Sequence, residues 1–288
     1  MISFRYHLVT IAAVLLALAA GVALGSGPLD DGSVLTGDDD GPGADPAVAR
    51  FEAGYANRTS GALLKDVLKG RSVVVLTLPG ARAEETKGIR DDIEDAGGTI
   101  TGEVQLTSKL VDPANRQFAE GVAQQSASEV EGVTGAGNSY ARIGAALGRS
   151  VLGGQGKDLD TAANTISSAF DEGDLVTYEA KPSKFAGLAV LVSGPGRAGD
   201  SAPVSAQIAA AIDRSGGGAV LAGPSTSSQD GGVLAALRDS DAATQVSSVD
   251  VTDTTAGRVV VALALAREAD GQSGSWGTSR SADGAVPR

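Results

Sequence analysis

The stretch SVVVLTLPGARAEETKGIRDDIEDAGGTITGEVQL, residues 72–106, decides the fold class. It opens with a short run rich in β-branched residues, 72–78, which indicates a buried strand ended by a Pro-Gly pair. A polar-faced helix is predicted over 83–96, and a Gly pair separates it from an alternating second strand over 99–106. This β-α-β succession predicts a parallel sheet with a right-handed crossover.

The same pattern returns later in the chain. A buried strand is predicted over 187–193, a helix over 201–214 and a further strand over 219–222. Two such units predict an α/β domain of three layers, in which a mostly parallel sheet lies between helices on both faces. Unrelated β-α-β units often share this pattern, so the similarity between the two units is weak support for an internal duplication. Helices are also predicted over 48–69, 113–125, 138–152, 159–171, 231–239 and 255–268, and strands over 175–179 and 246–251.

The composition limits the chemistry that the chain can carry. Asp and Glu outnumber Lys and Arg by 35 to 23, and a net charge of −12 argues against nucleic acid as a partner. The 288 residues include no cysteine, one histidine (His7) and one methionine (Met1). This inventory excludes disulfides, thiol catalysis, zinc sites of the Cys/His kind and any triad that needs an imidazole.

The N-terminal segment is predicted to be a transmembrane helix. Residues 8–29 contain no charged side chain, and their apolar core is long enough to cross about 30 Å of hydrocarbon. Arg5 precedes the segment and Asp30-Asp31 follow it, which predicts a cytoplasmic tip over 1–7 and an exported remainder. The side chains predicted to anchor the chain are Leu8, Val14, Leu15, Leu16, Leu18, Val22 and Leu24.

A cleaved signal peptide is the alternative for this segment. Ala23 and Gly25 fit the small-residue positions of a cleavage site before Ser26. A retained anchor is favoured because the apolar run is longer than the ~7–15 residues of a usual signal core. The rest of the chain is predicted to comprise an acidic Gly/Asp linker (30–47), the exported α/β domain (48–268) and a disordered tail (269–288) in which Trp276 is a candidate for docking.

A glycine-rich turn resembles a dinucleotide site. Residues 194–199, GPGRAG, match G-x-G-x-x-G between a predicted strand and a predicted helix. Pro195 removes an amide donor from the loop, and no acidic residue ends the next strand. A structural turn with Asp200 or Ser201 as helix cap is therefore favoured, and no cofactor is predicted.

Two arginines mark a candidate binding edge. Arg82 and Arg197 occupy equivalent turns after the first strand of each β-α-β unit. Ligands of open α/β sheets bind at the carboxyl ends of the strands, so these residues could form an anion site or a partner edge. The alternative is that they are solvated loop arginines.

The sequence predicts neither catalytic nor metal-ligating residues. The acidic cluster over 91–95 has the pattern of a solvated helix face, and no G-x-S-x-G or S-x-x-K motif occurs. Copper sites use Cys, Met or His, which here occur only as Met1 and His7. The chain is therefore expected not to be an enzyme.

Several stretches resemble the actinobacterial copper transporter family, the MctB-like proteins with their SteB-like relatives. The stretches that carry the resemblance are MISFRYHLVTIAAVLLALAAGVALGSGPL (1–29), LKGRSVVVLTLPGA (68–81), DLVTYEAK (174–181), GLAVLVSG (187–194), GGAVLAG (217–223) and SSVDVTDTTAGRVVVALALA (247–266). The resemblance implies one N-terminal membrane segment, an exported α/β domain and a role in the cell envelope.

Two functions follow from this resemblance. The first is copper homeostasis or transport across the envelope by a membrane-anchored, extracytoplasmic protein. The second, implied by the resemblance to SteB-like members, is a non-catalytic scaffold of the envelope or of cell division that binds a membrane-protein partner. Either role is compatible with a homo-oligomer, because one apolar helix cannot line a pore by itself.

Overall fold

The first part of the chain combines a β-α-β unit with a helical insertion. The structure is a computed structural model that describes residues 46–287. Its first elements are α1 (Pro46–Leu64), β1 (Ser72–Thr77), α2 (Ala83–Asp95), β2 (Thr99–Leu106), α3 (Ser108–Val111), α4 (Arg116–Ser126), α5 (Glu131–Thr134), α6 (Ser139–Val151) and α7 (Thr161–Glu172).

The remaining part contains the other five strands. Its elements are β3 (Val176–Ala180), β4 (Leu188–Val192), α8 (Ser201–Asp213), β5 (Ala219–Ala222), α9 (Val233–Arg238), β6 (Ser247–Val249), α10 (Thr255–Ala269) and β7 (Ser275–Trp276). Single 3₁₀ turns lie at Pro113–Asn115 and Ser225–Ser228.

Seven strands form one sheet in the order β3-β2-β1-β4-β5-β6-β7. Neighbouring strands are parallel except for β2 and β3, which are antiparallel. Val75 of β1 lies opposite Glu103 of β2 on one side and Val190 of β4 on the other. Strand order therefore reverses between β1 and β4, which is the topological switch point of a doubly wound sheet.

The sheet separates two hydrophobic cores. Val74 and Leu76 point to one face, where they pack with buried residues of α6, α7 and α8 such as Leu147, Ile166 and Ile208. The alternate residues of β1 point to the other face, which α2 and α10 cover. The expected three-layer arrangement with helices on both faces is confirmed for residues 46–287.

The C-terminal residues differ from the prediction of a disordered tail. Ser275–Trp276 form β7 beside β6, and the Trp276 side chain is 7 % exposed, as its candidacy for docking suggested. The Ser275 amide donates to the Asp283 carboxylate (2.9 Å), and the Asp283 amide donates to the Ser275 carbonyl (2.8 Å). The Gly/Ser-rich composition misled the prediction because order here comes from pairing with β6 and from one buried indole.

Helix α1 begins and ends earlier than predicted. Pro46 and Ala47 belong to the helix rather than to the linker, and the helix ends at Leu64. Asp66 and Gly70 have φ angles of 61° and 74°, which turn the chain towards β1.

The predicted membrane segment, 8–29, lies outside the described residues, as does most of the predicted linker. Between residues 46 and 287 the structure contains no helix with the length and apolarity needed to cross a membrane.

Candidate functional site

Two turns meet at the carboxyl edge of the sheet, where strand order reverses. One follows β1 and includes Gly80, and the other follows β4 and begins at Gly194. A Cβ on Gly194 would lie 2.5 Å from the carbonyl carbon and oxygen of Gly80, so only glycine permits this backbone approach. The sequence pattern predicted that these two turns are equivalent, and both lie at the carboxyl edge of the sheet. Their backbones occupy the crevice in which such sheets bind ligands.

Arg82, in the first turn, is held by a carboxylate. Its Nη1 lies 3.1 Å from Glu85 Oε1, and Glu85 is 7 % exposed against 56 % for Arg82. The Thr252 hydroxyl donates to the other oxygen of Glu85 (2.9 Å). Glu85 therefore orients Arg82 and joins α2 to the loop that follows β6.

The second turn uses its own amides. The Gly196 amide donates to the Thr226 hydroxyl (3.0 Å), and the Ala198 amide donates to the Gly231 carbonyl (2.9 Å). Arg197 pairs with Asp230 at 3.2 Å, with side chains 74 % and 95 % exposed. The glycine motif is thus a turn held by hydrogen bonds to Thr226 and Gly231. The expected helix cap is wrong, because the Asp200 side chain makes no capping hydrogen bond and the Ser201 hydroxyl donates to the Ala198 carbonyl (2.7 Å).

The structure brings the two turns together but gives each arginine its own acidic partner. Arg82 binds Glu85 and Arg197 binds Asp230, so no hydrogen bond joins the two arginines to a common acceptor in residues 46–287. Binding of an anion or a partner at this edge stays a prediction.

A cleft of about 430 Å³ opens on the β2 side of the same edge. Arg90 donates to Glu103 there (2.9 Å), and the Glu103 side chain is 10 % exposed. The polar groups that line the cleft are those of Thr77, Thr86, Lys87, Arg90, Glu103, Gln105 and Glu179. Because both signs of charge are present, the lining suits a neutral or zwitterionic polar molecule better than an anion.

A buried ion pair lies further along this edge, beside β6. Arg238 Nη1 is 2.5 Å from Asp250 Oδ2, with side chains 4 % and 0 % exposed. Arg238 Nε also donates to the Ser248 hydroxyl (2.9 Å). The Thr278 amide (2.7 Å) and the Ser279 amide (3.3 Å) donate to Asp250 Oδ1. The pair therefore ties the C-terminal residues to the edge of the sheet.

Sequence reasoning missed this pair. The available signal was an acidic residue directly after the buried run 246–249, within a predicted strand. Burial alone would raise the Asp250 pKa, but hydrogen bonds from Ser279, Thr278 and Arg238 outweigh it and hold the pKa below its usual value.

Two carboxylates lie at the opposite, amino edge of the sheet. Glu268 is 5 % exposed and accepts a hydrogen bond from the Ser247 amide (2.8 Å). Burial raises its pKa to about 7, and the nearby charge of Asp213 adds to the shift. Asp213 accepts from the Ala219 amide (2.8 Å), and burial raises its pKa as well.

A metal centre is not visible in the described part of the chain. Within residues 46–287 no three His, Cys, Asp or Glu side chains lie together in a way that could hold a metal ion. His7 and the seven predicted anchor side chains between Leu8 and Leu24 fall outside the described residues.

Comparison with known proteins decides the family. A family model described as "Copper transport outer membrane protein, MctB" matches residues 1–287. The chain belongs to the MctB family. Proteins named "Copper transporter MctB" from Mycobacterium tuberculosis (strain ATCC 25618 / H37Rv) and Mycobacterium bovis (strain ATCC BAA-935 / AF2122/97) are each 30 % identical to it over 295 residues, covering 92 % of both chains. The protein of that name from Mycobacterium leprae (strain TN) is 28 % identical over 292 residues, with the same coverage.

Membership of the MctB family confirms the resemblance seen in the sequence. The match includes the N-terminal residues that the structure leaves undescribed and the strands that flank the switch point. Of the two roles weighed from the sequence, the copper role is the one that the relatives' names support.

Proposed function

We propose that this chain is a single-pass membrane protein whose α/β domain lies outside the cytoplasm and acts in copper homeostasis or transport at the envelope. The observation that carries the proposal is the match over residues 1–287 to a family described by copper transport and an outer membrane. The relatives named copper transporters align over 92 % of their own length, so the shared part includes nearly the whole chain.

The sequence of the N-terminal segment supports the proposed topology. The uncharged segment 8–29 has Arg5 on one side and Asp30 on the other. Basic residues remain on the cytoplasmic side, so the α/β domain is placed outside.

Topology can be tested cleanly because the chain contains no cysteine. A single cysteine at Val286→Cys, where the native side chain is 51 % exposed, should react with a membrane-impermeant maleimide in intact cells. Its matched control, Ser3→Cys in the predicted cytoplasmic tip, should react after lysis alone. Equal labelling of both variants in intact cells would contradict the topology.

The ligand chemistry limits how copper is handled. The cuprous ion prefers sulfur and imidazole ligands, and residues 46–287 contain no Cys, Met or His. We therefore propose that copper is a cargo rather than a resident ion of the α/β domain. Its path would run through the membrane segments of several copies or of a partner protein, because one apolar helix encloses no channel.

The proposed role is non-catalytic. The buried acids at the carboxyl edge, Glu85, Glu103 and Asp250, are each paired with an arginine. Each of these carboxylates accepts a hydrogen bond from its arginine, so its oxygens are engaged within the fold, which does not suit a general acid or base.

The copper role is tested in the natural host by deleting the gene and measuring cellular copper under copper stress. We expect altered copper content and lower copper tolerance, both restored by the full chain but not by a chain without residues 8–29. Lys69→Ala, at an exposed ion pair with Asp66 away from the candidate edge, serves as a control that should restore as well as the native chain. Normal copper content and tolerance with abnormal cell shape would contradict the proposal.

A further inference from the structure

Helix α1 presents its largest apolar side chains to solvent. Phe51 and Tyr55 are 72 % and 64 % exposed, and their rings stack with centroids 6.4 Å apart. Val48, 47 % exposed, and Leu63, 58 % exposed, extend the row. The spacing of these four residues (i, i+3, i+7 and i+15) places them on one side of the helix.

The opposite side of α1 provides the contact with the domain. Leu64 is fully buried, and Ala53, Ala56 and Ser60 are partly buried where the helix packs on α10. Small side chains thus face the core while the aromatic ones face outward. This is the reverse of an ordinary surface helix, and it leaves an apolar surface, Val48–Phe51–Tyr55–Leu63, exposed in residues 46–287.

We propose that this apolar surface docks on the membrane, with Phe51 and Tyr55 at the boundary between headgroups and acyl chains of anionic lipids. The inference rests on the membrane anchoring proposed above. Aromatic side chains prefer that boundary, where their apolar rings are buried and the polar edge stays hydrated.

Charge and chain length identify lipid as the occupant. Residues 46–64 contain Arg50 and Arg58 but one acid, Glu52, so this helix carries a net charge of +1 in a chain of net charge −12. Basic side chains beside an apolar face favour anionic headgroups. Residues 30–45 join α1 to the proposed membrane segment, and a linker of this length reaches about 55 Å at most.

A second copy of the chain fits this surface less well. A helix pair needs apolar residues that recur every seven positions over several turns. Seven residues after Phe51 stands Arg58, and the helix ends at Leu64 before the next such position. The two copies of Arg58 would face each other on the seam of a parallel pair, and their like charges would oppose it.

The test uses the full chain reconstituted into vesicles of phosphatidylcholine with phosphatidylglycerol. Phe51→Trp keeps an aromatic ring at the surface, and the native Trp276 is buried and common to all samples. We expect lipids brominated along the acyl chain to remove about half of the added Trp emission. The matched control, Phe118→Trp, should lose little emission because Phe118 is 46 % exposed on α4, which packs on the other face of the sheet from α1.

Charge variants test the choice of lipid. Arg50→Gln with Arg58→Gln should reduce the quenching of the Trp at position 51, and omitting phosphatidylglycerol from the vesicles should reduce it similarly. Unquenched, water-exposed emission from a chain that floats with the vesicles would overturn docking while leaving the anchor intact. Failure to float would instead overturn the anchoring proposal and this one with it. Blue-shifted emission that brominated lipids do not quench, together with crosslinked dimers, would assign the surface to a second copy.

Discussion

Two buried carboxylates at opposite edges of the sheet have opposite electrostatic environments. Asp250, after β6, is fully buried but receives hydrogen bonds from Arg238 and two backbone amides, and its pKa is lowered. Glu268, on α10, is equally enclosed but receives one amide hydrogen bond, and its pKa is raised to about 7. Among the described residues no cation lies within ion-pair distance of Glu268.

The difference teaches that burial alone does not decide the charge of a carboxylate. Desolvation is the largest influence on both pKa values, yet the number of donors reverses its effect at Asp250. At the carboxyl edge, an ionised Asp250 is a structural anion that organises residues 276–279. At the amino edge, Glu268 is a group that gains a proton on folding near neutral pH.

The largest expected effect comes from removing the cation at the carboxyl edge. Arg238→Met leaves Asp250 buried without its charge partner, which should lower the free energy of unfolding by about 3–5 kcal/mol. Urea denaturation of the full chain in detergent measures this loss, and limited proteolysis should show earlier cleavage after residue 270.

Arg197→Met is the control for that experiment. It breaks an ion pair whose two side chains are largely in solvent, so the loss should be below about 1 kcal/mol. Equal losses in the two variants would show that the Arg238–Asp250 pair is not the element that holds the C-terminal residues.

Gly277 is the next test of the carboxyl edge. Its φ is +137°, and a Cβ there would lie 2.2 Å from Asp250 Oδ1. Gly277→Ala should therefore cost about 2–3 kcal/mol, through strain and through displacement of the carboxylate. Thermal unfolding measures the loss.

Gly271→Ala separates backbone strain from the contact with Asp250. Gly271 also has a positive φ, +73°, but nothing lies within 4 Å of the added Cβ. This variant should cost about 1 kcal/mol. A similar cost for both variants would mean that the Asp250 contact adds nothing.

At the amino edge, Glu268→Gln should change the pH dependence of stability. Folding raises the Glu268 pKa from 4.5 to about 7, so the folded state binds this proton more tightly than the unfolded state. The free energy of unfolding therefore falls as pH rises through this interval, by up to about 1 kcal/mol per pH unit. Glutamine keeps the acceptor for Ser247 and should make the curve flatter, as denaturation at a series of pH values would show.

A second acid provides the control for this slope. Burial raises the pKa of Asp92 to about 6, so Asp92→Asn should remove part of the slope below pH 6 and leave the part between 6 and 7. Asp250 acts in the opposite direction, because folding lowers its pKa. Its contribution to stability is present above the pKa of the unfolded state and is lost as the pH falls. An unchanged slope in Glu268→Gln would contradict the comparison between the two edges.

The pattern of buried strands explains why most of the fold could be predicted. Runs such as 72–78 and 187–193 are apolar throughout because parallel strands are covered on both faces, and a glycine-ended helix follows each of them. The strand order, the antiparallel β3 and the β7 strand could not be predicted, because they depend on pairing between distant segments. Trp276 alone hinted at the last of these.

The candidate site was predictable only in its backbone. The turns at Gly80 and Gly194 could be matched because they repeat a local pattern, and the structure places them in contact. The acidic partners of Arg82 and Arg197 could not be predicted, because Glu85 lies on a helix and Asp230 lies in a loop after another strand. The Arg238–Asp250 pair could not be predicted either, because its members are 12 residues apart and composition does not show which charged side chains meet.

The smallest expected effect concerns two buried hydroxyls that share one neighbourhood. A Cβ on Gly223 would lie 2.2 Å from Ser193 Oγ and 2.5 Å from Ser227 Oγ, so both serines face the same glycine. Ser227 donates to the Pro224 carbonyl (2.6 Å), whereas Ser193 Oγ is buried without a hydrogen-bond partner in the described residues.

Alanine at each position tests whether a hydrogen-bond partner decides the free-energy cost of burying a hydroxyl. Asp250 and Glu268 indicate that such partners decide the pKa of a buried carboxylate. Ser227→Ala should lose about 1 kcal/mol of unfolding free energy with its hydrogen bond, while Ser193→Ala should be neutral or gain up to about 1 kcal/mol. Urea denaturation under identical conditions resolves the two. A loss above about 1 kcal/mol in Ser193→Ala would mean that an enclosed water forms a hydrogen bond with its hydroxyl. Ser193 would then behave as a hydrogen-bonded buried group, like Asp250, and its removal would lower the free energy of unfolding.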